Sequence, residues 1–472
     1  MLRDRIVPLI IAVALFMENM DSTVIATSLP AIAADIGTNP LALKLAVTSY
    51  LLSLAIFIPA SGWTADRFGA RTVFRAAIGV FVIGSIGCAL SSSLTDFVIA
   101  RIVQGMGGAM MTPVGRMVVV RTISKRELVG AMAWVTTPAL IGPVLGPPVG
   151  GFITTYATWH WIFLINVPIG LLGIVLATRY IPDVRAEEHE RFDVVGMILA
   201  GLGIGGMAFG LSILGLNFLP WYVVVALVIG GACFFAAYLA HARRTENPAL
   251  DLTLFRLPTF FASVVGGFIF RLGLGALPFL LPLMLQIGFG MTPFQSGMIT
   301  FATALGAMGM KWAVAFILHR FGFRNILVVN SMISSAFLAI CAAFTATTPI
   351  ALMLILLFVG GFFRSLQFTS INTIAYAEVD PRRIGRATAL VSVAQQLAVS
   401  SGVAFGALSV ELTVQFRGGG PLQAADFPPA FLAVAAISAL SALIFARLAP
   451  DAGAEMADRL PTPAEPSDQR AG

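Results

Sequence analysis

Long apolar runs, separated by short polar loops, fill this 472-residue chain from one end to the other. Each run has about 20 residues, the length that an α-helix needs to cross the hydrocarbon core of a bilayer. A backbone inside lipid must satisfy its own hydrogen bonds, so such segments fold as helices. The pattern predicts an all-α integral membrane protein. Its fourteen spans are placed at 7–30, 42–62, 72–91, 96–118, 129–154, 160–179, 195–214, 219–240, 259–286, 293–317, 325–344, 349–376, 384–410 and 427–448.

The composition agrees with a membrane protein and argues against other classes. Hydrophobic residues make up 58% of the chain and charged residues 11%, far from the soluble average. The net charge of +6 comes from short loops between spans, so it does not indicate nucleic-acid binding. Cys88, Cys233 and Cys341 lie in apolar runs without the spacing of metal ligands. We therefore expect no nucleic-acid partner, no metal and no disulfide framework.

The loop charges predict the orientation in the membrane. With fourteen spans both termini lie on one side, and the termini and loops of that side carry 23 Lys and Arg residues. The loops of the other side carry only Lys44 and Arg417. Because loops rich in Lys and Arg stay in the cytoplasm, both termini are predicted to be cytoplasmic.

A short loop occurs twice and predicts two similar halves. DRFGAR (Asp66–Arg71) follows the second span, and HRFGFR (His319–Arg324) follows the tenth. Two six-helix halves would repeat this loop six spans later, so two extra spans are expected between them. The predicted units are an N-terminal bundle at 1–180, two inserted helices with flanking loops at 181–258, a C-terminal bundle at 259–450 and a disordered cytoplasmic tail at 451–472.

The repeated loop also predicts a conformational latch. A carboxylate in such a tight turn can pair with arginine or with a helix N-terminus and so hold one arrangement of the bundles. The alternative is an ordinary solvated loop. The candidate latch residues are Gly62, Asp66, Arg67, Gly69, Arg71, His319 and Arg320.

The fifth span is unusually rich in glycine and proline. Proline removes a backbone donor, but neighbouring membrane helices can satisfy the freed groups. Glycine lets two helices approach closely, so we predict a close-packed helix at a moving interface, with ordinary packing as the alternative. The residues are Gly142, Pro143, Gly146, Pro147, Gly150 and Gly151.

Ionisable residues in the first and fourth spans are candidates for proton coupling. Glu18 and Asp21 lie three residues apart on one helical face. Charges at membrane depth face a cavity or a partner, and a buried carboxyl beside another one is suited to carry a proton. Arg101 is the expected partner. A purely structural Asp21–Arg101 pair is the alternative.

The second half carries cations within its spans but no acidic residue in the same spans. Three such cations suggest a cavity that holds an anionic substrate, although each of them could instead extend to the membrane surface. Neutral amides could add hydrogen bonds there or join neighbouring helices. The candidate cavity residues are Gln104, Asn166, Arg271, Lys311, Arg364, Gln367 and Gln395.

Five segments together resemble the major facilitator superfamily. They are GWTADRFGART from Gly62, ARIVQGMGGAMMTPVGR from Ala100, GPVLGPPVGG from Gly142, MDSTVIATSLP from Met20 and WHWIFLINVPIG from Trp159. The last two are similar to signatures of its fourteen-span drug–proton antiporters, the EmrB/QacA type. The resemblance implies two six-helix bundles plus two inserted helices, an antiporter role for the glycine–proline helix and a place for Arg101 in the proton path. Ala26, Leu45 and Ala70 depart from the usual pattern.

The expected function is proton-coupled export of small amphipathic molecules or drugs by alternating access. The alternatives are export of an anionic metabolite, such as an organic acid or a metal chelate, and proton symport. No nucleophilic triad or ATP-binding loop is visible, so we expect neither an enzyme nor a cofactor. The expected partners are the substrate, protons and the lipid bilayer of a bacterial inner membrane. A monomer is expected to suffice, and an accessory adaptor protein stays open.

Overall fold

The computed structural model describes residues 2–123, 127–183, 193–213 and 219–457. All regular secondary structure in these ranges is helical. The helical spans are α1 (Ile6–Thr27), α2 (Pro40–Phe68), α3 (Ala70–Ala89), α4 (Leu94–Thr122), α5 (Leu128–Tyr156), α6 (Trp161–Tyr180), α7 (Val194–Ile213), α8 (Trp221–Ala242), α9 (Pro258–Gly288), α10 (Pro293–Phe321), α11 (Phe323–Ala343), α12 (Ile350–Ile374), α13 (Ile384–Phe416) and α14 (Ala424–Phe445).

Each of the fourteen predicted spans falls on one of these helices. Among the described residues, thirteen helices are long and apolar enough to cross a membrane. The predicted span at 129–154 coincides with α5, a helix of 29 residues whose side chains are only partly described. The prediction of an all-α membrane fold is confirmed.

The helices pack as two groups of six. In the first bundle, α1 packs on α5 and α6, and α4 packs on α2 and α3. In the second bundle, α9 packs on α13 and α14, while α12 packs on α10 and α11. The most extensive contacts between the bundles are those of α5 with α10 and of α2 with α13. The inserted helices α7 and α8 pack on each other, and α7 also rests on α2 and α13.

The connections define two ends of the molecule. We call the end that holds the α2–α3 and α10–α11 turns, with Arg67 and Arg320, the basic end. The end that holds the α9–α10 and α13–α14 connections is the opposite end. Gly69 and Gly322 form the two corresponding turns at the basic end, with φ of +89° and +76°. Glycine adopts this backbone conformation without steric cost, so the repeated loop has the same geometry in both halves.

The short segment after α14 is only partly described. A 3₁₀ turn lies at Glu455–Ala457. The rest of the tail predicted to be disordered, 458–472, lies outside the described residues.

Candidate functional site

A buried carboxylate network joins four helices of the first bundle. Asp21 of α1 is fully buried, and Nη1 of Arg101 lies 2.8 Å from its Oδ2. Its Oδ1 accepts hydrogen bonds from Gln104 Nε2 at 2.9 Å and from Asn166 Nδ2 at 2.8 Å. Both amides also donate to Ser85 Oγ of α3, at 2.8 and 3.2 Å. One carboxylate therefore binds side chains from α4 and α6 and, through their amides, is linked to α3.

Arg101 is held from two further directions. Its Nη1 donates to Gln104 Oε1 at 2.5 Å, and its guanidinium lies 4.1 Å from the centre of the Tyr50 ring on α2. Gly105 makes this approach of α2 and α4 possible, because a Cβ there would lie 2.7 Å from the Tyr50 carbonyl oxygen. The Arg101 Nε, in contrast, is buried without a hydrogen-bond partner among the described residues.

The burial of this ion pair makes each of its charges dependent on the other. Arg101 is only 1% exposed, so neither charge has water to replace its partner. Removing one member of a buried pair typically costs about 3–5 kcal/mol, since the remaining charge is left uncompensated.

Glu18 lies one helical turn before Asp21 and is less buried. Its Oε2 accepts a hydrogen bond from Thr112 Oγ1 of α4 at 2.7 Å. A Cβ on Gly108 would lie 3.2 Å from the Tyr50 hydroxyl and 3.7 Å from Glu18 Cγ, so both groups border the same glycine. The Tyr50 hydroxyl is buried and has no hydrogen-bond partner among the described residues.

Tyr50 thus lies between the Asp21–Arg101 pair and Glu18, with its ring against the Arg101 guanidinium and its hydroxyl beside the glycine that Glu18 also borders. It is absent from the residues predicted from sequence. A phenol in the middle of the second span was the available signal, because buried tyrosine hydroxyls usually need a partner.

A cavity of about 840 Å³ lies between the bundles. Helices α1 and α5 line it on one side, and α9, α10 and α12 on the other. Most lining side chains are apolar. Lys311 and Arg364 are its charged groups, and no Asp or Glu occurs among the described residues that line it. Hydroxyls that sequence reasoning did not single out add polar atoms: Thr23, Thr137, Thr300, Thr303 and Ser365.

The other residues predicted to face a cavity lie elsewhere. Gln104 and Asn166 belong to the Asp21 network. Arg271 is buried, donates to Asn372 Oδ1 at 2.6 Å and lies 4.8 Å from the centre of the Phe368 ring.

The two remaining glutamines are also away from this cavity. Gln367 donates to the Leu327 carbonyl at 3.0 Å and accepts from Asn330 Nδ2 at 2.8 Å, an α11–α12 contact. Gln395 is half-buried on α13 and does not line the cavity.

The bundles touch each other at the opposite end. Gln286 Nε2 of α9 donates to the Thr27 carbonyl of α1 at 2.9 Å. The Phe294 backbone N–H of α10 donates to Thr155 Oγ1 of α5 at 3.0 Å. Lys44 of α2 lies 3.6 Å from Glu411 of α13. Three helix pairs therefore close this end over the cavity.

The glycine–proline helix α5 has two different packing faces. Gly142, Gly146 and Gly150 lie against α1, where a Cβ would collide with Phe16, Thr23 and Val24 respectively. Gly151 lies against Pro293 of α10, and Gly297 of α10 lies against Pro147. Pro143 and Pro147 also line the cavity. The helix continues through its prolines and bridges both bundles.

The loop predicted to be a latch makes its contacts inside the first bundle. Asp66 forms an ion pair with Arg121 of α4 at 2.7 Å. Arg67 lies 5.9 Å from the ring centres of both Trp63 and Phe68. These contacts of Asp66 and Arg67 lie within the first bundle, and a latch role for Gly62, Gly69, Arg71, His319 and Arg320 stays a prediction.

The segment between α8 and α9 is fixed to the second bundle by a buried carboxylate. Asp251 Oδ2 accepts from Arg383 Nη2 at 2.7 Å, and its Oδ1 accepts from the Thr253 hydroxyl at 2.6 Å. Burial by itself would raise the pKa of Asp251, but these hydrogen bonds and the charge of Arg383 outweigh it and lower the pKa below its ordinary value.

Comparison with known proteins agrees with this geometry. A family model described as Major Facilitator Superfamily matches residues 11–403 and 263–468. The "Putative multidrug resistance protein MdtD" of Salmonella heidelberg (strain SL476) is 38% identical over 452 residues, which cover 94% of each chain. The protein of the same name from Salmonella paratyphi A (strain ATCC 9150 / SARB42) is equally similar.

Two solved structures share the fold at low sequence identity. The D-xylose-proton symporter is 16% identical with a TM-score of 0.66, over 95% of this chain and 98% of its own. A bacterial homolog of the human lysosomal transporter Spinster, inward-facing and unoccupied, is 15% identical with a TM-score of 0.64, over 98% and 99%.

Proposed function

The chain belongs to the major facilitator superfamily, and we propose that it is a proton-coupled exporter that works by alternating access. Membership makes it a multi-pass membrane transporter of small molecules and not an enzyme. The observation that supports proton-coupled export is the fully buried Asp21–Arg101 pair with its two amide donors.

Proton binding takes place at Asp21. In the ionised state Asp21 neutralises Arg101 and holds α1 against α4. A proton on Asp21 removes this attraction and leaves the buried Arg101 charge uncompensated. The contact between α1 and α4 is then less stable, which favours their separation. Glu18, half-buried and close to the Tyr50 hydroxyl, is the intermediate proton carrier.

Alternating access uses the contacts at the opposite end. In this conformation α1, α2 and α5 meet α9, α13 and α10 there, and the cavity lies on the other side of those contacts. The excess of Lys and Arg at the basic end supports an orientation with both termini in the cytoplasm of a bacterium and the cavity facing inward. The transporter lies in the inner membrane.

The direction of transport is outward, driven by protons that enter. An inward proton flow supplies about 2.3 kcal/mol per charge for each 100 mV. The tightly packed α5 contacts on both α1 and α10 favour a sealed exchange without an ion leak. The proton site and the cavity are complete within one chain, which supports a functional monomer.

Everted membrane vesicles test this proposal. During respiration these vesicles acidify their interior. A transported compound should partly dissipate this pH gradient, because its transport lets protons leave. We expect Asp21→Asn to abolish this response and Asp21→Glu to retain part of it. Arg256→Gln, which removes a charge from an exposed residue outside the site, is the matched control.

Two results would contradict the proposal. One is an unchanged response in Asp21→Asn. The other is no response of the parent protein to a panel of amphipathic cations, neutral compounds and anions. Gel filtration of each purified variant shows whether a loss of response comes from misfolding.

A further inference from the structure

We infer that Lys311 and Arg364 bind the anionic group of an amphipathic substrate on the second-bundle wall of the cavity. This inference rests on the proposed transport function, because it names the class of compound carried. Both residues line the 840 Å³ cavity, Lys311 from α10 and Arg364 from α12.

Lys311 has only weak compensation from the protein. Its Nζ donates to Thr369 Oγ1 of α12 at 3.1 Å, and no carboxylate lies within ion-pair distance among the described residues. The side chain is exposed and lines the cavity. Its ammonium group therefore keeps free donors for a ligand.

Arg364 has no hydrogen bond or ion pair with any described residue. Its side chain also borders a small space behind the wall, together with Thr303 and Ser334. The hydroxyls of these two residues are buried without partners. Three polar groups at one place thus lack partners in the protein, which is the arrangement that a bound anion or its water would complete.

The charge balance of the cavity excludes a simple cation site. With Lys311 and Arg364 and no acidic side chain among its described lining residues, the wall repels positive charge. Two uncompensated charges in a largely apolar cavity are costly, and an anionic ligand removes that cost. A lipophilic cation would increase it.

The rest of the cavity requires an apolar body on the same ligand. Leu281, Met308 and Phe358 line it, and Trp312 beside Lys311 is 93% exposed. A small hydrophilic acid would leave this surface uncovered. An aromatic or alkyl compound with one carboxylate or sulfonate matches both parts of the cavity.

Paired fluorescent probes test the assignment. Dansylglycine and dansylcadaverine share one fluorophore, but the first is an anion and the second a cation. Their binding to the purified full-length protein in lipid nanodiscs can be measured by energy transfer from tryptophan. We expect dansylglycine to bind at least about tenfold more tightly.

Variants locate the site. Arg364→Gln and Lys311→Gln should each weaken dansylglycine binding about tenfold, the usual effect of losing a hydrogen bond to a charged group. Arg364→Lys and Lys311→Arg should keep most of the affinity because they keep the charge. Arg256→Gln removes the same charge from an exposed position outside the cavity and should leave binding unchanged.

The inference is overturned if dansylcadaverine binds as tightly as dansylglycine, or if Arg364→Gln weakens both probes equally. Because binding is measured without a proton gradient, the result is independent of proton coupling. If the purified protein binds dansylglycine selectively but Asp21→Asn still transports normally in vesicles, only the proton-coupling proposal is refuted. If the probes show no preference for the anion but Asp21→Asn abolishes transport, only the proposal of an anionic substrate is refuted.

Discussion

Lys44 Nζ lies 3.6 Å from Glu411 Oε2, and this is the ion pair that joins the two bundles among the described residues. The Lys44 side chain is completely buried, and that of Glu411 is 16% exposed. The pair lies at the end that must open if substrate leaves outward. Sequence reasoning treated Lys44 only as a loop charge.

We expect Glu411→Gln to shift the protein toward an arrangement open at this end. Neutralising Glu411 removes the negative charge beside the buried Lys44 ammonium group, which weakens the closed contact. Double electron–electron resonance between spin labels at Asn39 and Gln415, with the exposed Cys233 replaced by serine, measures the opening. Lys44→Glu combined with Glu411→Lys should restore the short distance.

The same experiment contains its control and its pH dependence. Arg417 and Asp426 pair within the second bundle at the same end, so Asp426→Asn should not change the distance. The charged groups on two helices packed against α13 are Lys44 of α2 and Arg271 of α9, and Arg271 is hydrogen-bonded to Asn372. Acidification should lengthen the distance in the parent protein but not in Glu411→Gln. Equal distances in all variants would rule out a role for the pair in closure.

We expect Tyr50→Phe to separate stability from transport. The ring under Arg101 remains, and a buried hydroxyl without a partner is lost, so the melting temperature should stay equal or rise. Proton-driven transport in vesicles should fall about tenfold, because the group beside Glu18 is missing. Tyr50→Ala, which also removes the ring, should destabilise the protein by about 3–5 kcal/mol. Full transport by Tyr50→Phe would remove the hydroxyl from the proton path.

Gly297→Ala is expected to keep the opposite end from closing. A Cβ at this position would collide with the backbone carbonyl of Pro147, and backbone atoms of α5 have no room to move aside. The Asn39–Gln415 distance should lengthen and transport should fall at least about tenfold. Gly130→Ala on α5, where a Cβ meets nothing within 4 Å, is the matched control. A normal distance in Gly297→Ala would show that α5 and α10 need not touch here.

Asp251→Asn should lower the melting temperature more at pH 7 than at a pH well below 3.8, the ordinary pKa of an aspartate. The pKa of Asp251 is lowered in the folded protein, so its ionised form stabilises the fold above the unfolded pKa, and this gain is lost as pH falls through the folded pKa. The loss of a hydrogen-bonded partner for Arg383 corresponds to about 1–3 kcal/mol. Glu246→Gln, exposed in the same segment, should change nothing. A difference that is independent of pH would point to packing instead.

The sequence was sufficient to predict the helices, because about 20 consecutive apolar residues have few other stable forms in lipid. It also identified Asp21 and Arg101, since charges at that depth need a reason to be there. It did not distinguish the surroundings of Gln104 from those of Gln395, because a helix that is apolar all round has no periodic pattern to show its inward face. Tyr50 was missed for a related reason, since its role depends on its distances to Arg101 and Glu18.

The inserted pair of helices α7 and α8 crosses the membrane twice, so the chain starts and finishes this insertion at the same end of the molecule. An even number of crossings preserves parity: whatever follows the hairpin has the sidedness it would have had without it. A single inserted helix would have inverted the topology of α9–α14 and moved their arginine-rich turns to the other side of the membrane. The hairpin is therefore topologically neutral. The two halves that enclose the cavity therefore keep the relative orientation that they would have without it.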